Sequence, residues 1–282
     1  MNFPQINEKI EPNTLYIVAT PIGNLNDITL RALYILENVD LIACEDTRRT
    51  ALLLKHYGLE KPLISFHSHS SPKKFEEIKE RLKTETIALV SDAGTPCISD
   101  PGAKLAAYLL EEEMALIPIP GPAAVITAIS ASGLDTREFT FRGFLGKKGL
   151  QSKVKEILMY KEIQVVYESP QRLLDLLAII KTLAPRRRLV VAREITKLHE
   201  EFFRGSATEG YDYFRTKEIK GELTLIIAGN DNNNDCNEAE IRLELQKALN
   251  EGRSLRETAK ELSLKYGVAK NLIYDIGLKL KP

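Results

Sequence analysis

Short apolar runs alternating with helical patterns restrict the first half of this chain more than any other feature. Leu15 to Ala19, Leu41 to Cys44, Leu63 to Phe66 and Ile87 to Val90 are each of strand length. Thr29 to Glu37, the segment opened by Glu45-Asp46-Thr47-Arg48-Arg49-Thr50, and Phe75 to Leu82 lie between them with the spacing of amphipathic helices. A strand that is apolar on both sides must be covered on both faces, and a helix between successive strands makes them parallel. The fold class predicted is α/β. In open sheets of this kind ligands lie beyond the carboxyl ends of the strands, so the connecting loops carry the interest. Ser91 to Gly102 (SDAGTPCISDPG) is such a loop, between Ile87–Val90 and the Ala/Leu-rich segment Ala103 to Glu112. Gly94 lets backbone approach a ligand closely, and Asp92 offers an acceptor to a hydroxyl or amine. The loop has no lysine and matches neither G-x-x-x-x-G-K-[ST] nor G-x-G-x-x-G. A nucleoside-like ligand without phosphates fits better. Asp100-Pro101 reads as a helix N-cap followed by proline at the first helical position.

At 282 residues the length favours about two domains. Ile117-Pro118-Ile119-Pro120-Gly121-Pro122 reads as a rigid crossing between them, since prolines interrupt helices and central strands. The division predicted is a tail over 1–13, α/β domains over 14–120 and 121–229, a polar linker over 230–238 and a helical extension over 239–282. In the second domain strands are expected at Phe139–Phe144, Gln164–Tyr167, Leu189–Ala192, Glu200–Arg204 and Glu222–Ala228. The extension reads as three short helices, with a Ser254/Glu257 capping box and a helix-turn-helix pattern around Tyr266-Gly267. Cys44, Cys97 and Cys236 are far apart and odd in number, and none of the four histidines has H-E-x-x-H spacing, so neither disulfides nor a metal are expected. No apolar run approaches the ~18 residues of a membrane span, and the polar start is no signal peptide, so the expectation is a cytoplasmic protein. Thirty-nine basic residues balance 39 acidic ones, and any contact with RNA would have to come from local basic patches.

Six blocks in order, LYIVATPIGNL (15–25), CEDTRRT (44–50), SDAGTPCISDPG (91–102), PIPGPAA (118–124), YESPQR (167–172) and GELTLIIAG (221–229), resemble the ribosomal RNA branch of the tetrapyrrole methylase family. The corrin and siroheme branches carry a central loop more like G-D-P, from which Ser91-Asp92-Ala93 departs. The resemblance implies two α/β domains with S-adenosyl-L-methionine (AdoMet) in the cleft between them, a homodimer, and a helix-turn-helix extension. It also implies 2′-O-methylation of a cytidine ribose in the decoding region of small-subunit (16S) rRNA. One rival keeps the cofactor pocket and C-methylates a precorrin or uroporphyrinogen; another is a non-catalytic nucleic-acid-binding module acting through the terminal helices.

Carried onto this chain, the resemblance places Asp92 and Gly94 in the AdoMet pocket with Pro96 and Ile98 along its wall. Pro120, Gly121, Ala123 and Ala124 would admit the cofactor, and Glu222, Leu223 and Thr224 would reach its adenosine. The same residues serve equally as a turn, a packing seam and a strand start. Thr20, Pro21, Gly23 and Asn24 would meet ligand or substrate, or simply form a turn. A ribose hydroxyl needs a base within hydrogen-bond reach, and the candidates are Glu45, Asp46 and Glu168. Their plainer roles are an ion pair of Glu45 with Arg48 or Arg49, an N-cap at Asp46, and an ion pair of Glu168 with Arg172. Substrate RNA contacts are expected from Asn24, Arg48, Arg49, Lys147 and Lys148, with Lys153, Lys155 and Arg186 to Arg188 as further candidates. Arg253, Arg256, Lys260, Lys265, Lys270, Lys279 and Lys281 give the extension a contact with RNA or cover a dimer surface. His67 and His69 read as solvated loop residues.

Overall fold

Alternate residues of the first strands enter opposite apolar layers, which is what a sheet covered on both faces requires. In β1 (Thr14–Val18), β2 (Leu41–Cys44) and β4 (Ile87–Val90), one layer takes Tyr16, Val18, Ile42, Cys44, Ala88 and Val90. The other takes Leu15, Leu41, Ala43, Ile87 and Leu89. Leu33 and Leu36 of α1 (Leu30–Asn38) and Leu54 of α2 (Thr47–His56) close the first layer. Ile78 and Leu82 of α3 (Pro72–Leu82), with Leu105 and Leu109 of α4 (Ala103–Glu111), close the second. Each such leucine or isoleucine contributes roughly 1.5–3 kcal/mol by leaving water. The computed structural model describes residues 9–67, 70–230, 238–266 and 270–280. His69, Lys281, residues 1–8 of the expected tail and 231–237 of the expected linker lie outside these, as do Cys236 and Gly267.

With β3 (Leu63–Ser65) and β5 (Ala115–Ile119), the first sheet runs in the order β3-β2-β4-β1-β5. All its strand pairs are parallel. β5 corrects the expectation of a crossing throughout Ile117–Pro122. Pro118 sits opposite Ile17 in an edge strand, where a proline costs no ladder bond on its open side. A second five-stranded sheet has the order β6-β7-β10-β8-β9, built from β6 (Phe139–Phe144), β7 (Ile163–Glu168), β8 (Arg188–Arg193), β9 (Glu201–Ser206) and β10 (Leu223–Ile227). Its helices are α6 (Leu150–Ile157), which the sequence pattern did not announce, α7 (Pro170–Leu183) and α8 (Ala207–Phe214). The chain is therefore α/β with a helical extension, as expected.

By contact density the chain forms two compact units, the first of residues 1–133, 192–202 and 221–224, the second of 134–191, 203–220 and 225–282. In the second unit α9 (Glu238–Asn250), α10 (Leu255–Tyr266) and α11 (Lys270–Leu280) share a small core of Ile241, Leu245, Leu255, Ala259, Leu262, Ile273 and Ile276. Arg187, read above as an RNA contact, is instead buried. Its guanidinium donates to the carbonyls of Ala228 (3.0 Å) and Leu158 (3.3 Å) and to Asn230 Oδ1 (3.2 Å). A buried cation is tolerated when its donors are matched in this way, so Arg187 ties the end of the sheet together.

Candidate active site

The loops that follow β2, β4, β1 and β5 belong to four neighbouring strands, so their carboxyl ends come together in the first unit. Thr20, just past β1, and Gly94, in the loop after β4, are joined by a two-bond antiparallel bridge (Thr20 N to Gly94 O 2.9 Å, Gly94 N to Thr20 O 3.0 Å). The Thr20 hydroxyl adds a bond to the Ser91 carbonyl at 3.3 Å. Gly94 has φ +81°, a conformation that favours glycine, and a Cβ there would stand 3.3 Å from Ile22 Cγ2. Thr95 Oγ1 donates to the Pro122 carbonyl at 3.0 Å, which ties the β4 loop to the segment after β5. Pro96 is buried and Ile98 exposed. Pro120 and Gly121 are exposed, and Ala123 is the N-cap residue of the short helix α5 (Ala124–Ser130).

Asp92 joins a third loop to these. Its Oδ1 accepts from the Asp46 amide and its Oδ2 from Arg49 Nη1, both at 3.0 Å. Asp46 caps α2 by accepting from the Arg48 amide (2.9 Å) and also holds the Arg48 guanidinium through both carboxylate oxygens. These Arg48 bonds keep the Asp46 carboxyl well below the usual carboxylate range. Arg48 and Arg49 are thus paired with Asp46 and Asp92, and neither makes the expected ion pair with Glu45. Glu45 is half-buried, and burial, then the nearby carboxylates of Asp92 and Asp100, raise its pKa. Glu45, Asp92 and Asp100, from two loops, therefore lie close enough to act on one another's charge.

Asp100 does not cap α4. Cys97 (φ +71°), Ser99 (φ +60°) and Gly102 (φ +120°) turn the loop so that Gly102 becomes the N-cap residue and Pro101 precedes the helix. Burial raises the Asp100 pKa, helped by Asp92 and Glu222 and opposed by a hydrogen bond from Ser91. A carboxyl raised in the folded state disfavours folding once it ionises, so stability is lost as pH rises through its folded value. Asp100→Asn is accordingly expected to raise the melting temperature at pH 7. Below about pH 3, where the carboxyl is mostly protonated folded or unfolded, the two proteins should melt alike. Melting curves at both pH values check this; an equal gain at low pH would assign the effect to shape.

Segments 192–202 and 221–224 complete the first unit. Leu223 and Thr224 are buried, whereas the Glu222 carboxylate is exposed and accepts from Lys197 Nζ at 3.0 Å. Lys197 also reaches Glu194 Oε1 at 2.8 Å. Burial alone would raise Glu194, but Lys197 and the Glu222 amide outweigh it and hold its pKa below the ordinary value. Sequence reasoning missed this lysine because its partners lie 3 and 25 residues away with no local signature.

Glu168, the third candidate base, belongs to the second unit. It is buried, its Oε1 accepts from the Ser169 amide (2.8 Å), and Arg172 lies 3.2 Å away in an ion pair. Lys147 and Lys148 are exposed in the same unit, and Asn24 caps a 3₁₀ turn at Leu25–Asp27 in the first. Among the described residues no group of three or more His, Cys, Asp or Glu is placed to hold a metal, and no helix is long and apolar enough to cross a membrane.

Comparison with known proteins gives one consistent set of relatives. A sequence profile of the tetrapyrrole (corrin/porphyrin) methylases matches residues 14–210. The ribosomal RNA small subunit methyltransferase I of Synechocystis sp. is 41% identical over 273 residues, covering 95% of this chain and 98% of its own. The protein of the same name from Hydrogenobaculum sp. is 46% identical over 221 residues, covering 76% and 95%. Among solved structures, the uroporphyrin-III C-methyltransferase of Thermus thermophilus, complexed with S-adenosyl homocysteine, superposes with a TM-score of 0.52 at 17% identity, covering 76% of this chain and 97% of that one. At that identity the likeness speaks for the fold.

Proposed function

The chain belongs to the tetrapyrrole (corrin/porphyrin) methylase family, and we propose that within it this protein 2′-O-methylates a cytidine ribose in the decoding region of small-subunit ribosomal RNA. What carries the reading is kinship over most of the chain with proteins named for small-subunit rRNA methylation, against a distant likeness to a tetrapyrrole enzyme. The protein would act in the cytoplasm as a homodimer.

The methyl donor is S-adenosyl-L-methionine. The residues of the first unit suit it. Gly94 leaves bare backbone where a side chain would crowd Ile22, and the carboxylates of Asp100 and Glu222 complement a cationic ligand. The Ser91–Gly102 loop has no lysine for a phosphate. Asp92, Gly94, Pro96, Ile98, Pro120, Gly121, Ala123, Ala124 and Glu222 to Thr224 would hold the cofactor, whose sulfonium when bound supplies an already activated methyl group. Asp92 acts by fixing the β4 loop to the start of α2, so that the loops form one surface before ligand arrives.

Among the candidate bases the geometry favours Glu45. Asp46 is spent on its cap and on Arg48, and Glu168 on Ser169 and Arg172. The Glu45 carboxylate would accept the proton of the ribose 2′-hydroxyl, and its raised pKa makes it a better proton acceptor than an ordinary glutamate. Arg48 and Arg49, largely exposed beside it, would meet RNA phosphates.

Transfer of radiolabelled methyl from AdoMet to small subunits lacking the modification tests the reading. Label retained in an alkali-resistant dinucleotide is expected, because a 2′-O-methyl removes the hydroxyl that drives strand cleavage. Label released in single nucleotides would move the methyl to a base. No transfer, with AdoMet bound, would return the tetrapyrrole alternative.

A further inference from the structure

The exposed end of β6 in the second unit has a composition that the proposed function does not yet use. Phe144, its last residue, is 58% exposed. The register between β6 and β7 shifts between Phe141 and Phe144, where Gly143 adopts φ +59°. A bulge of this kind re-aims the side chain that follows it. Phe144 thereby lies opposite Tyr167, with ring centroids 5.7 Å apart, and Phe141 backs the same tyrosine at 4.8 Å. Residues 142–153, which include Phe144, carry four basic side chains. Two are committed inward: Arg142 donates to Gln164 Oε1 and lies over the Tyr160 ring, and Lys153 donates to the Leu145 carbonyl. The other two, Lys147 and Lys148, are exposed and without an ion pair among the described residues. They sit between Gly146 (φ +64°) and Gly149 (φ +69°).

We propose that Phe144 is a stacking platform for a nucleobase of the substrate RNA, with Lys147 and Lys148 holding the phosphates beside it. The inference rests on the reading of the chain as an rRNA methyltransferase and adds a substrate-binding element to it. An exposed ring held by a second ring, followed at once by uncompensated cations, is how proteins hold single-stranded nucleic acid. A second copy of the chain is a poorer occupant. A two-fold contact through this patch would set the lysine pairs of both copies against one another, with no acidic residue in the loop to offset them.

The test is equilibrium binding to unmethylated small ribosomal subunits over a range of salt, for the full chain and for Phe144→Leu, Phe144→Trp and Lys147→Ala with Lys148→Ala. Phe144 is exposed, so these variants should fold, and calorimetry with AdoMet verifies an intact cofactor site. Phe144→Leu should weaken subunit binding about ten-fold while Phe144→Trp retains it, since the ring and not its apolarity is needed. The lysine pair variant should make the salt slope shallower by about 1.4. Wild-type affinity in Phe144→Leu would overturn the platform. A halved mass of that variant in sedimentation would also overturn it, making the patch a contact between copies. Methyl transfer by the unaltered protein is measured alongside. With transfer intact and Phe144→Leu binding normally, only this inference falls; with no transfer by the unaltered protein, the functional reading itself falls.

Discussion

Asp92→Ala should lower AdoMet affinity about a hundred-fold and leave the α/β core folded. Two charge-assisted hydrogen bonds go with the carboxylate: one to the Asp46 amide, worth about 1.5–3 kcal/mol to the arrangement it holds, and a weaker one to the exposed Arg49. What they hold is the position of residues 45–49 against the loop 91–102. The Thr20–Gly94 bridge and the Thr95–Pro122 bond survive the substitution, so the loop stays seated on the sheet. Arg49 is two-thirds exposed, and an ion pair in that setting contributes little to global stability. Asp92→Asn separates the two bonds: it keeps an acceptor for the Asp46 amide and loses the charge facing Arg49, so a smaller loss of about ten-fold is expected. Calorimetric titration with AdoMet, beside a melting curve, reads both quantities. Unchanged affinity in the alanine variant would remove this loop from the cofactor site.

Glu45→Gln should lower kcat by 10²–10⁴-fold at unchanged AdoMet affinity, the range that a positioned general base contributes. The pH dependence carries a sharper signature. Burial and the Asp92 and Asp100 carboxylates raise the Glu45 pKa, so it becomes a functioning base only at a pH above the ordinary glutamate value of about 4.3. In the unaltered protein kcat should climb through that raised value and level off; in Glu45→Gln the rising limb should vanish. Asp46→Asn is the control. Its carboxyl is already ionised far below that range because Arg48 holds it there, so the limb should persist. A limb that survives in Glu45→Gln assigns the titration, and the base, elsewhere.

Much of this arrangement is legible along the chain. The inner strands β1, β2 and β4 of the first sheet are buried on both faces and therefore read as unbroken apolar runs, and the loops after β2 and β4 hold Glu45, Asp46, Asp92 and Gly94. β5 escaped because a proline-rich stretch looks the same whether it crosses between domains or lies at a sheet edge; only the pairing of Ile17 with Pro118 decides. Arg187 escaped for a related reason. Three consecutive arginines look like a basic patch, and it takes the Leu158 and Ala228 carbonyls, 29 and 41 residues distant, to make the middle one a buried tie. The candidate bases were visible as residue types. Their ranking was not, because it depends on which carboxylate has already been taken up by a neighbour.

The first unit is not continuous in the chain: its last contributions, 192–202 and 221–224, come after 134–191 and 203–220 of the second unit have been passed. This gives the protein a particular history of synthesis. When Gly133 leaves the ribosome the first sheet has all five strands, yet Lys197 and Glu222 do not yet exist as parts of it. About 90 residues more must be translated, roughly 5–20 s at ordinary elongation rates, before that unit is whole. A nascent chain released early would carry a nearly finished sheet and an unfinished site, so cutting the gene at the apparent midpoint would not yield two self-sufficient halves.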